Sequence, residues 1–227
     1  ILGFYLIGPV MGIILSFLTA GVQILLQAGI FPLIGVFVEP AKVLFLNNAI
    51  NHGIFTPLGA EQVAETGKSI FYMIETNPGP GTGVLLAYWL FSKDTMTRQS
   101  APGALIIHLL GGIHEISFPY ILMNPALLLA TISGSVAALF YNMIFDLGLS
   151  GPPAPGSLIS YLAMAPKGST LSVILSIVIA AAVSFIIASP IIKMSAAKSS
   201  ESLEEAQQKM QDMKAESKGT SPAAAAP

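Results

Sequence analysis

Residues 1–38 contain no charged side chain, and long apolar stretches recur at 120–145 and 169–192. A helix that crosses the bilayer core needs about 20 apolar residues, so the pattern predicts spans over about 4–26, 120–145 and 169–192. After a break at Gly29-Ile30-Phe31-Pro32, a second helix is expected to carry Glu39 and Lys42 and to end near Leu46. The run Asn47-Asn48-Ala49-Ile50-Asn51-His52-Gly53, followed by Thr56-Pro57-Leu58-Gly59, is too polar and too broken to face lipid. Non-helical backbone at membrane depth is tolerated only inside protein or along a cavity, which predicts a re-entrant or interfacial element there.

Residues 61–68 read as a polar amphipathic stretch and 71–74 as a short apolar one. Asn77-Pro78-Gly79-Pro80-Gly81 is expected to forbid regular helix, because its prolines lack donors and its glycines open φ space. The apolar runs 83–91 and 103–112 are about half a membrane long, separated by a loop with Lys93, Asp94 and Arg98, and the second is stopped by Gly111-Gly112. Short hydrophobic segments interrupted by Gly and Pro point to a transporter binding site. The fold class that follows is an all-α, polytopic transmembrane protein with broken helices and re-entrant hairpins.

Composition supports this and divides the chain. Charged residues are 10% and apolar residues 53% of 227, against about 25% charged in soluble domains. Ten of the charged side chains lie from Lys193 onward. Two parts are therefore expected: 1–194 as membrane body and 195–227 as a polar tail, with Leu203, Ala206, Met210 and Met213 at helical spacing and an Ala/Pro/Ser-rich linker from 217. Lys193 and Lys198 after the last span, with Lys93 and Arg98, place the C-terminus on the cytoplasmic side. The start at Ile1, in apolar sequence without Met or a charged leader, reads as a truncation.

Several chemistries are excluded. Without cysteine the chain offers neither disulfides nor a thiolate, and with a net charge of -2 and no basic cluster it presents no nucleic-acid surface. No phosphate loop, nucleophile elbow or zinc-type His pair occurs, so neither a metal nor another cofactor is expected.

Four groups of residues remain as candidates. Glu115 is the only acid between Asp94 and Asp146, and a charge at membrane depth costs several kcal/mol unless paired or facing a wet cavity. It is expected to line a cavity and to accept a proton. Asn47, Asn48, Asn51 and His52 exceed the needs of one helix cap and offer the mixed donors and acceptors that suit a neutral polyhydroxylated ligand. Glu75 and Asn77 form either a second polar wall or a turn. His114 and His108 are expected to support neighbours, since adjacent positions do not share a face.

Three runs carry a resemblance. Phe37-Val38-Glu39-Pro40-Ala41-Lys42-Val43-Leu44-Phe45-Leu46-Asn47-Asn48-Ala49-Ile50-Asn51-His52-Gly53, Ile74-Glu75-Thr76-Asn77-Pro78-Gly79-Pro80-Gly81 and Gly111-Gly112-Ile113-His114-Glu115-Ile116 resemble the membrane (IIC) domain of the mannitol-specific enzyme II of the bacterial phosphoenolpyruvate-dependent sugar phosphotransferase system. Gln211-Asp212-Met213-Lys214-Ala215-Glu216-Ser217-Lys218-Gly219 resembles the linker to the cytoplasmic IIB domain.

The resemblance implies a homodimer in the bacterial inner membrane that binds mannitol from the periplasmic side and carries it by an elevator-type movement. It also implies release as mannitol 1-phosphate, the phosphoryl group coming from a IIB cysteine charged through IIA and the general carriers. Glu115 is then the sugar ligand and hydroxyl-activating base, and His52 bonds the sugar or the transferred group. Asn48, Asn51, Glu75 and Asn77 are further sugar contacts. Two departures stand out: the family domain extends well upstream of Ile1, and no IIB cysteine is on this chain. The alternative reading is a secondary transporter for a neutral polyol with Glu115 as proton relay.

Overall fold

The computed structural model describes residues 8–44 and 46–217, the last stretch from 196 as backbone alone. Among the described residues the chain is helical throughout, with one isolated antiparallel bridge between Ser69 and Leu149. The helices are α1 (Gly8–Gln27), α2 (Gly35–Val43), α3 (Asn47–Ile50), α4 (Thr56–Thr66), α5 (Gly79–Phe91), α6 (Thr95–Leu109), α7 (Phe118–Leu122), α8 (Leu128–Ile144), α9 (Leu158–Met164) and α10 (Thr170–Ser217). Short 3-10 turns precede α2, α5, α7 and α8. Two stretches are long and apolar enough to cross a membrane, Pro125–Ile144 and Thr170–Ser195; the apolar part of α1, Gly12–Gln27, is shorter.

Three expectations change. The predicted span over 120–145 is divided, because Asn124 before Pro125 adopts extended backbone (φ −141, ψ 90) and α8 starts only at Leu128. Proline's ring clashes with a helical conformation of the residue before it. The polar run from Asn47 is helical: α3 widens into a π turn at Asn51–Phe55, where the Thr56 N–H reaches the Asn51 carbonyl five residues back, and continues into α4. Pro57 falls in the first turn of α4.

Pro78-Gly79-Pro80-Gly81, expected to exclude helix, instead starts one. Gly79, Pro80 and Gly81 occupy the first turn of α5, where a missing N–H costs nothing because those donors have no partner within the helix. The predicted tail helix is the continuation of α10 as far as Ser217, and the linker from 218 on lies outside the described residues.

The centre of the bundle is α5 packed against α10 and α8. Val84, Ala87 and Tyr88 of α5 bury against Leu127, Ala130, Ala188 and Ile192. At 13 residues, α5 spans about 20 Å, short of the ~30 Å hydrocarbon core, and its interior positions are buried on all sides. Close approach fixes one position: a Cβ at Gly83 would lie 2.4 Å from the Ala181 carbonyl oxygen of α10. The Ser184 hydroxyl of α10 donates to the Pro80 carbonyl at 2.7 Å. A second cluster joins α1 to α2 and the turn before it through Leu18, Val22, Ile34 and Val38, and a third surrounds Tyr161 with Met73, Leu149 and Val173.

Candidate functional site

Three segments far apart in sequence meet at one cavity of about 180 Å³. The α3 and π-turn segment brings Asn47, Asn48, Asn51 and His52; the chain entering α5 brings Glu75 and Thr76; the turn after α6 brings Gly112, His114 and Glu115. Residues 153–156 close the remaining side. The Asn47 amide donates from Nδ2 to Glu115 Oε1 at 3.2 Å. Asn47 and Glu75 are buried, Asn51 and Glu115 half-buried, and Asn48 and His52 exposed.

The backbone explains how Glu115 is presented. α6 ends at Leu109, and Gly112 takes φ +72, a conformation open to glycine. A Cβ there would also lie 2.8 Å from the Pro155 ring, so the turn and the closing loop fit only around glycine. A 3-10 turn over His114–Ser117 follows. His114 Nε2 lies 2.8 Å from the Gly156 carbonyl oxygen and His108 Nε2 2.9 Å from the Pro78 carbonyl oxygen. A carbonyl only accepts, so each ring carries its proton on Nε2. The two imidazoles pack at 4.8 Å between centroids, which is the supporting role expected of them, although His114 also reaches the cavity wall.

Thr76 is fastened from behind. Its hydroxyl donates to the Tyr72 carbonyl, so the fully buried Tyr161 hydroxyl, 2.8 Å away, donates to it.

Of the residues expected to contact a ligand, Asn48, Asn51, His52, Glu75 and Glu115 line this cavity. Asn77 does not: it is buried, and its side-chain oxygen accepts the Gly79 N–H at 2.8 Å, capping the entrance to α5. Asn77 therefore follows the turn reading rather than the polar-wall reading. Sequence reasoning missed Thr76 and the closing loop, for which Pro152-Pro153-Ala154-Pro155-Gly156 was the available signal. It also missed that Glu39 and Lys42 form a buried ion pair of 3.1 Å, 4% and 6% exposed.

Chemically, the wall combines amide, imidazole, hydroxyl and carboxylate groups with no lysine or arginine, a donor and acceptor mixture that matches hydroxyl groups. Among the described residues the chain is a helical protein with two stretches long and apolar enough to cross a membrane and a polar cavity.

Comparison with known proteins finds relatives that the chain matches over part of their length. The mannitol-specific EIICB component of the PTS system of Geobacillus stearothermophilus is 55% identical over 208 residues, 92% of this chain and 44% of that protein. The mannitol-specific EIICBA component of Escherichia coli (strain K12) is 53% identical over 225 residues, 99% of this chain and 35% of that protein. The EIICB component of Bacillus subtilis (strain 168) is 54% identical over 214 residues, 94% of this chain and 44% of that protein. The chain is similar to these mannitol-specific components over nearly its whole length. It spans less than half the length of each of them. No family model and no solved structure matches it.

Proposed function

We propose that this chain is the sugar-binding part of a mannitol permease of the phosphotransferase system, coupling translocation to formation of mannitol 1-phosphate. The observation that carries this reading is the convergence of Asn48, Asn51, His52, Glu75 and Glu115 on one cavity in a chain about half identical to mannitol-specific components. Asn48, Asn51 and Glu75 bond the hydroxyls of the hexitol. Glu115 accepts the proton of the terminal hydroxyl as that oxygen attacks phosphorus. The P–O bond forms, the S–P bond of a IIB phosphocysteine breaks, and the cysteine leaves as thiolate. His52, on the exposed rim, bonds the sugar or the incoming phosphoryl group.

The remainder of the reading is structural. Residues 1–194 form part of the IIC domain and 195–227 lead toward a IIB domain, with the C-terminus in the cytoplasm and the protein a homodimer in the inner membrane. The short α5, buried at its interior positions, and the divided stretch before α8 are the broken helices of an elevator-type transport domain. The chain carries no cysteine, so the phosphoryl group arrives from IIB, itself charged through IIA and the general carriers.

The test is to incubate membranes containing the chain with labelled mannitol, phosphoenolpyruvate and the soluble phosphotransfer proteins including IIB. Labelled mannitol phosphate is the expected product. Accumulation of free mannitol without phosphate would overturn the reading in favour of a secondary transporter with Glu115 as proton relay.

A further inference from the structure

One side of the cavity is built of different material from the rest. The segments bearing Asn48, His52, Glu75 and Glu115 present polar side chains, whereas the closing side is Pro153, Ala154, Pro155 and Gly156. Prolines carry no N–H. The Pro155 carbonyl already accepts the Ser157 N–H at 2.8 Å, and the Gly156 carbonyl accepts the His114 Nε2–H at 2.8 Å. What this side offers a ligand is therefore mainly pyrrolidine and methyl carbon. Such a surface selects by shape, since it has few groups with which to bond a hydroxyl.

The closing wall is also held stiffly. Pro152, Pro153 and Pro155 fix φ along it. Both of its ends are tied to α9: the Ser150 N–H donates to the Met164 carbonyl at 2.9 Å, and the Ser157 hydroxyl caps the helix by accepting the Ser160 N–H at 3.1 Å. From the middle of α9, Tyr161 bonds Thr76 in the facing wall. A brace of two imidazoles runs between the same two walls. His108 donates to the Pro78 carbonyl, just beyond Glu75 and Thr76; its ring packs on His114 at 4.8 Å, and His114 donates to Gly156. There is no slack at this end, because a Cβ at Gly156 would lie 2.7 Å from the Thr76 carbonyl oxygen and 3.1 Å from His114 Nε2.

We propose that residues 153–156 are the size-selecting wall of the sugar cavity and that His114 is their positioning residue, its bond to Gly156 setting how long a polyol the cavity admits. The inference rests on the cavity being the mannitol site. At about 180 Å³ the space is smaller than the ~300–1,000 Å³ of pockets for drug-sized ligands, so one carbon more or less is felt. A pentitol leaves the carbon wall uncovered, and a heptitol runs into it.

The experiment is displacement of labelled mannitol by unlabelled mannitol and by a pentitol and a heptitol of matching configuration. The membranes carry the unchanged chain, His114→Leu, His114→Gln or Glu115→Gln. Leucine keeps bulk and removes the donor, whereas glutamine keeps a donor. His114→Leu is expected to lose about tenfold of the preference for mannitol over the heptitol, the low end of what one methylene is worth in a fitted pocket, and His114→Gln to restore it. Unchanged preference in His114→Leu, or equal weakening of all three polyols, overturns the inference. So does a loss in His114→Gln as large as in His114→Leu, because the ring itself would then be the sugar contact. Should His114→Leu not insert, Ala154→Leu builds carbon out from an exposed position of the wall. It is expected to weaken mannitol and the heptitol more than the pentitol, and a uniform change or none overturns the inference. Unchanged mannitol binding by Glu115→Gln sinks the site assignment itself, whereas loss there with unaltered size preference in the wall variants sinks only the role of the wall and of His114.

Discussion

The side-chain amide of Asn47 donates to the Glu115 carboxylate at 3.2 Å across 68 positions of sequence. The bond orients Glu115 and occupies Oε1, leaving the other oxygen to serve a ligand. Glu115→Gln keeps the shape and removes the base. It is expected to abolish formation of mannitol phosphate while the protein remains folded, checked by labelled product and by thermal unfolding in detergent; near-normal turnover excludes Glu115 as the base.

His52 sits on the exposed rim of the cavity. His52→Ala should weaken mannitol binding or slow transfer by the equivalent of one or two hydrogen bonds, about 1–3 kcal/mol. Equilibrium binding and turnover measured on the same membranes check this. No change in either removes His52 from the site.

Tyr161 reaches Thr76 from α9, and its ring is fully buried. Tyr161→Phe removes one buried donor and leaves Thr76 bonded to the Tyr72 carbonyl. The expected cost in stability is about 1 kcal/mol, read from the unfolding midpoint. A larger change in mannitol affinity than in stability would show that the hydroxyl pair shapes the cavity wall.

Asp94 caps α6: its carboxylate accepts from the Thr97 N–H at 2.8 Å and from the Thr97 hydroxyl. These bonds hold the carboxyl below its ordinary value, the Thr97 hydroxyl contributing most. A depressed carboxyl stabilises the folded state above its unfolded pKa, and that contribution is lost as pH falls through the folded pKa. Asp94→Asn keeps a capping oxygen and should flatten the acid side of the pH–stability profile. An unaltered profile shows that the cap does not couple to folding.

Gly83→Leu puts a side chain where a Cβ alone would meet backbone of α10. Overpacking of this kind costs about 1–3 kcal/mol or more, and the variant should show reduced folded yield and a lower unfolding midpoint. Wild-type stability would mean that the two helices separate easily at this point.

Much of the site was legible because polar residues are scarce in this chain. Glu115 and the Asn47 to His52 run stand out against apolar surroundings, and both line the cavity. Two of the boundary errors have one cause, proline read without its position in the helix. Pro80 falls in the first turn of α5, where it fits, while Pro125 turns Asn124 out of helix and divides an apolar stretch that looked continuous. Asn77 was ambiguous by nature, since an amide that bonds a ligand and one that caps a turn have the same sequence signature. The burial of Glu39 and Lys42 was beyond reach, because it depends on α6 and α8, which close around them with His108 and Thr131 some 70 to 90 positions later. The closing loop at 153–156 meets the cavity only through tertiary packing.

The start of α5 is gripped from two sides, His108 donating to the Pro78 carbonyl and Ser184 to that of Pro80. Ser184 stands on α10, which runs as one helix to Ser217 and, at 48 residues, measures about 70 Å. That makes α10 a rod with the segment entering α5 clamped in its first third and the polar tail at its far end. Any displacement of α10 along its axis would carry the Pro80 carbonyl with it, so the cavity wall at Glu75 and Thr76, a few residues upstream of the clamp, and the polar tail share one moving part.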